Sequence, residues 1–214
     1  MARGEILSRG KKKRKEKPVI VVVTEGRETE PLYFRHFNSR EKSVRVEVVE
    51  NKASGADTDY KSLLRKAISY KAQNLLSTKK GDAVWVVADG DVDYNTPGAL
   101  EAKNRALLEV RKQAETHEIQ LAISNPCFEV WYFLHCDYST GFLKGYEAVK
   151  AKLTQLPDYE KSQDVYSIIA DRQDEAIARA KRLEQYHAGN GVTLPLPLEA
   201  NPFTEVYRLV EQIR

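Results

Sequence analysis

The run Val19-Ile20-Val21-Val22-Val23 sets five β-branched residues in succession with no polar residue among them. Such side chains are stiff at χ1 and fit a pleated surface. A strand without polar alternation has no face to turn to water, so it belongs in a parallel sheet covered on both sides. The run stops at Thr24-Glu25-Gly26. A second apolar run, Val84-Trp85-Val86-Val87-Ala88, also stops at acids, in Asp89-Gly90-Asp91-Val92-Asp93. Val44, Val46 and Val48 alternate with Arg45, Glu47 and Glu50, the pattern of a half-buried strand nearer an edge. Residues 119–123 supply a fourth strand.

Stretches of helical period separate these runs. Leu32, Phe34 and Phe37 mark the first, with Glu28 or Thr29 near its cap. Leu63, Leu64, Ala67 and Ile68 mark the second, capped by Asp57 or Thr58. Residues 99–116 form the third, and an almost wholly apolar helix starts near Pro126 with Asn125 at its N-cap. The order β-α-β-α-β-α-β-α predicts an α/β fold: a parallel sheet of about four strands flanked by helices on both faces. Beyond Asp137 the periodicity is helical, over 142–155, 164–170, 173–187 and a last helix capped by Thr204. The expected organisation is a basic tail over 1–17, a core over 18–137, and a C-terminal helical region over 138–214 packed on it.

With 214 residues, 42% hydrophobic and 30% charged, the chain has enough apolar surface for a full core. Its net charge of +3 is uneven: residues 1–17 carry eight Lys/Arg against two Glu, a local +6 that leaves −3 for the rest. Lys11, Lys12, Lys13, Arg14 and Lys15 suit contact with nucleic-acid phosphates, and equally suit a solvated tail. No stretch approaches the roughly 18 apolar residues of a membrane span, and the basic N-terminus lacks a secretory core, so the expected location is the cytoplasm. Cys127 and Cys136 have no metal-binding or disulfide spacing around them.

In an open parallel sheet, ligands gather at the carboxyl ends of the strands. Here those ends carry Glu25, then Asp89, Asp91 and Asp93, then Asn125 with Glu129. Read as extended chain, Asp89, Asp91 and Asp93 share one side, where crowded carboxylates call for a hard cation such as Mg²⁺ or Mn²⁺. A polar turn after the strand explains the same residues without a metal. Gly26 allows a ligand or another loop close to the backbone beside Glu25, and Arg27 adjoins it as a candidate phosphate contact. Neither GxGxxG nor GxxxxGK[ST] occurs, which excludes the common nucleotide loops. The chemistry that suits these acids is displacement at a phosphodiester, with Asp89 and Asp91 as metal ligands, Asp93 as a further one, and Glu25 as ligand or general acid/base. Neither a lysine nor an arginine stands out as an electrophilic partner.

A strand ending in TEG followed by one ending in DGD resembles the Toprim domain of topoisomerases, primases and related nucleases. More specifically, TEGRETEPLYFRHF, VVADGDVD, SNPCFEVWYFLH and NPFTEVYRLVE, in that order, resemble the RloB-like family of phage-defence proteins. The resemblance implies a Mg²⁺- or Mn²⁺-dependent nuclease effector of abortive infection, cutting RNA (tRNA included) or DNA and paired with an ABC- or AAA-type ATPase encoded nearby. It implies that Glu25 is the Toprim acid, Asp89 and Asp91 its DxD pair, and Glu129 a candidate further acid. Two alternatives stay open: a non-catalytic nucleic-acid- or nucleotide-binding subunit acting through the ATPase, and phosphoryl transfer on a small nucleotide. Assembly into a homo-oligomer is equally open.

Overall fold

The computed structural model describes residues 17–39, 41–50 and 59–214. Lys11, Lys12, Lys13, Arg14 and Lys15, and the cap candidates Asp57 and Thr58, lie outside the described residues. In chain order the elements are β1 (Val19–Thr24), α1 (Thr29–Arg35), β2 (Arg45–Val49), α2 (Tyr60–Gln73), β3 (Ala83–Asp89), α3 (Ala99–Thr116), β4 (Gln120–Asn125), α4 (Glu129–Cys136), α5 (Tyr146–Lys150), α6 (Tyr166–Ile169), α7 (Gln173–Gly189), β5 (Phe203–Thr204) and α8 (Val206–Ile213). The molecule is α/β, with a sheet of order β2-β1-β3-β4-β5. β1 to β4 are parallel, and β5 pairs antiparallel to β4.

Alternation along the strands divides the core in two. Ile20, Val22, Trp85 and Val87 pack against α1, α4, α7 and α8, while Val21, Val23, Val84 and Val86 pack against α2 and α3. This two-sided burial is what the unbroken Val19–Val23 run requires, and β2 is the edge its alternation predicts. β1 passes to β2 on one side, and the chain then returns to β3 on the other. Their diverging connections leave a crevice between the carboxyl ends of β1 and β3, the position where open α/β sheets bind ligands.

Several expectations are corrected. A fifth strand exists; at two residues it is too short to show any alternation, and tertiary pairing forms it, with the Ser124 and Thr204 hydroxyls 2.7 Å apart. Thr204 therefore lies in a strand, although its hydroxyl still accepts from Val206 N–H at 3.2 Å. The helix expected over 142–155 shrinks to α5, after which successive tight turns bury Leu153, Leu156 and Tyr159. α2 is capped by Asp59, which accepts from Ser62 N–H. α4 starts at Glu129, not near Pro126, and Asn125 is no cap. Its amide reaches across to the 196–200 segment and donates to the carbonyls of Leu198 and Ala200 at 2.9 and 2.8 Å. Trp131, Tyr132, Phe133 and His135 are core, with His135 Nδ1 2.8 Å from the Trp131 carbonyl. Among the described residues no helix is long and apolar enough to cross a membrane.

Candidate functional site

β1 and β3 end side by side, and one carboxylate spans them. Glu25 N–H donates to the Val87 carbonyl at 3.1 Å, continuing the ladder by one bond, and Glu25 Oε2 accepts from Asp89 N–H at 2.9 Å. The two glycines of the acidic motifs are explained by close approach. A Cβ on Gly26 would lie 2.2 Å from Glu30 Oε2, and one on Gly90 would lie 2.5 Å from Asn125 Oδ1. Gly26 thus admits Glu30 to the crevice, where Gly26 N–H donates to Glu30 Oε1 at 3.0 Å.

Among the described residues, the cavity, of about 280 Å³, is lined by Glu25, Glu28, Glu30, Asp89, Asp91 and Glu129, with Lys161 as the lysine on its wall. Glu30 and Glu129 are 4% and 1% exposed, so their carboxyl groups face the crevice and not bulk water. Glu129 Oε1 accepts from Tyr159 O–H at 3.2 Å, and Tyr60 O–H donates to the Asp89 carbonyl at 2.8 Å. Asp89 Oδ1 is shut off from solvent and has no hydrogen-bond partner.

These six acids and Lys161 set the electrostatics. Burial first, then repulsion from Glu30 and Asp91, pushes the Glu25 carboxyl up to about 7 against the pull of the Asp89 N–H and Lys103. Burial, followed by the fields of Glu30, Glu25 and Glu129, raises Asp89 well above the ordinary carboxylate range. Glu30 is raised by burial and by Glu129. Burial works against the charge on Lys161, but Glu129 and Asp89 override it and hold the ammonium above its usual value. Cys127 also lines the crevice, and burial with the same acids keeps its thiol protonated.

The predicted residues are not all placed together. Glu25, Gly26, Asp89, Asp91 and Glu129 line the crevice; Asp93, Asn125 and Arg27 do not. The aspartate fan fails because β3 ends at Asp89 and Asp91 adopts φ +38°, which breaks the extended alternation. Asp93 instead closes a turn, accepting from Asn95 N–H and from the Thr96 hydroxyl. Arg27 is on the exposed surface beside the mouth. Three lining residues, Glu28, Glu30 and Lys161, were not among the predicted site residues, Glu28 having been read only as a helix cap. Glu30 had a usable signal, an acid in the first turn of the helix that follows a strand-end Glu-Gly. Lys161 had none: it sits in the turns between α5 and α6, pinned by a 3.1 Å bond from the Thr29 hydroxyl to its carbonyl and seated over the Tyr146 ring at 4.5 Å.

The carboxylates of the crevice offer hard oxygens, as Mg²⁺ or Mn²⁺ requires, the Cys127 thiol beside them stays protonated, and the unpartnered Asp89 Oδ1 is a free acceptor for such an ion. Among the described residues no three acid, His or Cys side chains stand close enough to hold a metal by themselves. An ion of the Mg²⁺ type commonly keeps several waters and takes one or two protein carboxylates, so it would not need such a cage. No curated protein and no solved structure matches the chain. The family model described as RloB-like protein matches residues 20–213, nearly the whole length, and the chain therefore belongs to the RloB-like family.

Proposed function

We propose that the crevice between β1 and β3 is the centre of a divalent-cation-dependent, Toprim-like nuclease that hydrolyses phosphodiesters in RNA, tRNA included, or in DNA. The observation that carries this reading is the meeting of Glu25, Glu30, Asp89 and Glu129 from four separate elements, with one buried carboxylate oxygen left unpartnered. Asp89 and Asp91 would hold a Mg²⁺ or Mn²⁺ ion, which when bound polarises a phosphoryl oxygen and acidifies water. Glu25, oriented by the Asp89 N–H, accepts the proton of the attacking water. Lys161, on the opposite wall from a separate loop, attracts the phosphate and offsets the charge that develops on it. Tyr60 and Lys103 fix the turn that presents Asp89 and Asp91, through the carbonyls of Asp89, Gly90 and Asp91.

The role in antiviral abortive infection, with an ABC- or AAA-type ATPase as partner, is supported by the family resemblance. A second reading, a non-catalytic nucleic-acid-binding subunit acting through that ATPase, is favoured by the absence of a three-ligand cage among the described residues. Cleavage of labelled RNA and DNA, with and without EDTA, on wild type and Asp89→Ala, separates the two. Cutting that needs Mn²⁺ or Mg²⁺ and disappears in the variant is the expected result. Cutting that survives EDTA or the substitution defeats the hydrolytic mechanism, while binding without cutting in the presence of the ATPase selects the second reading.

A further inference from the structure

Phe142 is 59% exposed, and its neighbours Leu143 and Lys144 are hydrogen-bonded to distant segments. The adjacent Leu143 is buried, its N–H donating to Asn201 Oδ1 at 2.8 Å and its carbonyl accepting from Asn201 Nδ2 at 2.9 Å. The same Asn201 amide donates to the Tyr94 hydroxyl at 3.2 Å. The Tyr94 ring meets Phe142 edge-on, with centroids 4.9 Å apart, and Lys144 Nζ donates to Asn95 Oδ1 at 2.7 Å. The edge-on contact with Tyr94 and these ties fix the orientation of the Phe142 ring while most of the side chain stays open to solvent.

The loop is docked on the turn that leaves the crevice. Tyr94 is three residues beyond Asp91, which lines the cavity, and three residues span at most about 11 Å. Lys103 Nζ holds the other side of this turn through the Gly90 and Asp91 carbonyls. Lys144 has three donors and gives one to Asn95, leaving two for an anion. A rigid aromatic face with an ammonium beside it, next to a phosphodiester-binding crevice, is the combination by which single strands are held: bases stack on rings while cations follow the backbone.

We infer that Phe142 is a stacking platform for one unpaired nucleobase of a single-stranded nucleic acid, with Lys144 contacting the neighbouring phosphate. The inference deepens the nuclease reading and rests on it for the identity of the ligand. It makes the substrate a single-stranded or looped region, because a paired base has no free face to offer the ring.

The test is fluorescence anisotropy with labelled 12-nucleotide dT and rU strands and the corresponding duplexes. It is run in the Asp89→Asn background so that binding is read without cutting. Phe142→Ala is expected to weaken binding of both single strands roughly tenfold, within the range that loss of one stacked base gives. Phe142→Trp restores the affinity, duplex binding stays unchanged, and the melting temperature is unmoved. Single-strand binding by Phe142→Ala equal to the parent overturns the inference, as does a loss shared equally by duplexes, or a parent that binds neither strand. The two readings fail separately. Cutting by wild type that survives EDTA removes the hydrolytic mechanism and leaves the stacking result standing, whereas metal-dependent cutting with an inert Phe142→Ala does the reverse.

Discussion

Buried carboxylates are treated in opposite ways at two places in this molecule. Glu205, just after β5, is 1% exposed, and its charge is fully matched: Arg111 Nη2 lies 3.1 Å from both of its oxygens, and Oε2 also accepts from Ile123 N–H at 3.1 Å. At the β1–β3 crevice, among the described residues, six acids line the cavity with Lys161, Lys103 approaches only the Asp91 carboxylate among them, from outside at 4.0 Å, and Asp89 Oδ1 has no partner. A buried charge is tolerable when paired and hydrogen-bonded, and costly otherwise. The chain supplies that pairing at Glu205 and withholds it at Asp89, which leaves the crevice short of positive charge.

Substitutions at the two places break this contrast most directly. Asp89→Asn removes one ionisable carboxyl from a self-repelling cluster while nearly keeping its shape. Cleavage is expected to fall by about 10³-fold, the scale on which loss of one preorganised electrostatic contact is felt. The apoprotein should melt higher at neutral pH than wild type; a lower melting temperature would show that the crevice charges are already compensated. Arg111→Met does the opposite, leaving Glu205 buried without its cation. The expected cost is about 3–5 kcal/mol in a denaturant titration, with cleavage per folded molecule unchanged. A loss near zero would mean that the Ile123 N–H alone carries Glu205.

Lys161→Met gives a smaller effect and sharpens the comparison from the cationic side. Lys161 is exposed and reaches the acids from a separate loop, so its removal should lower kcat by about tenfold to a hundredfold with little change in stability. Lys161→Arg should recover part of the loss, since charge is kept and only its shape changes. A rate unchanged by Lys161→Met would remove it from the site.

What the sequence made legible follows from how local each cause is. β1 and β3 were readable because an unbroken apolar run leaves a strand no exposed face, and Glu25 and Asp89 were readable because they directly follow those runs. Residues whose place depends on a turn were misjudged. Asp91 at φ +38° ends the alternation that would have carried Asp93 into the crevice. Asn125 looked like a helix cap in one dimension, yet its partners are carbonyls more than 70 residues away. Lys161 and β5 were invisible for the same reason: neither has a local pattern, and contacts from distant elements put both in place.

The mildest test asks whether the crevice charges alter stability as their crowding implies. Glu25 titrates at about 7 in the folded chain against an ordinary 4.5, and Glu30 and Asp89 are raised as well. At Glu25 the folded state therefore binds more protons than the unfolded one between those limits. The stabilisation from holding Glu25 protonated is complete below about pH 4.5 and is lost as pH rises through 7, with Glu30 and Asp89 acting in the same direction. Melting temperature without metal should accordingly fall across that interval, and in Asp89→Asn it should fall less. Mn²⁺ or Mg²⁺ binds the ionised form, so it should stabilise the protein at pH 7.5 and have almost no effect at pH 5. At a hundred times its dissociation constant a cation adds about 2.7 kcal/mol, which for a chain of this size is about 5–10 °C in Tm. An equal shift at both pH values, or one that persists in Asp89→Asn, would place the bound ion away from these carboxylates, and the contrast with Glu205 would then reflect packing alone.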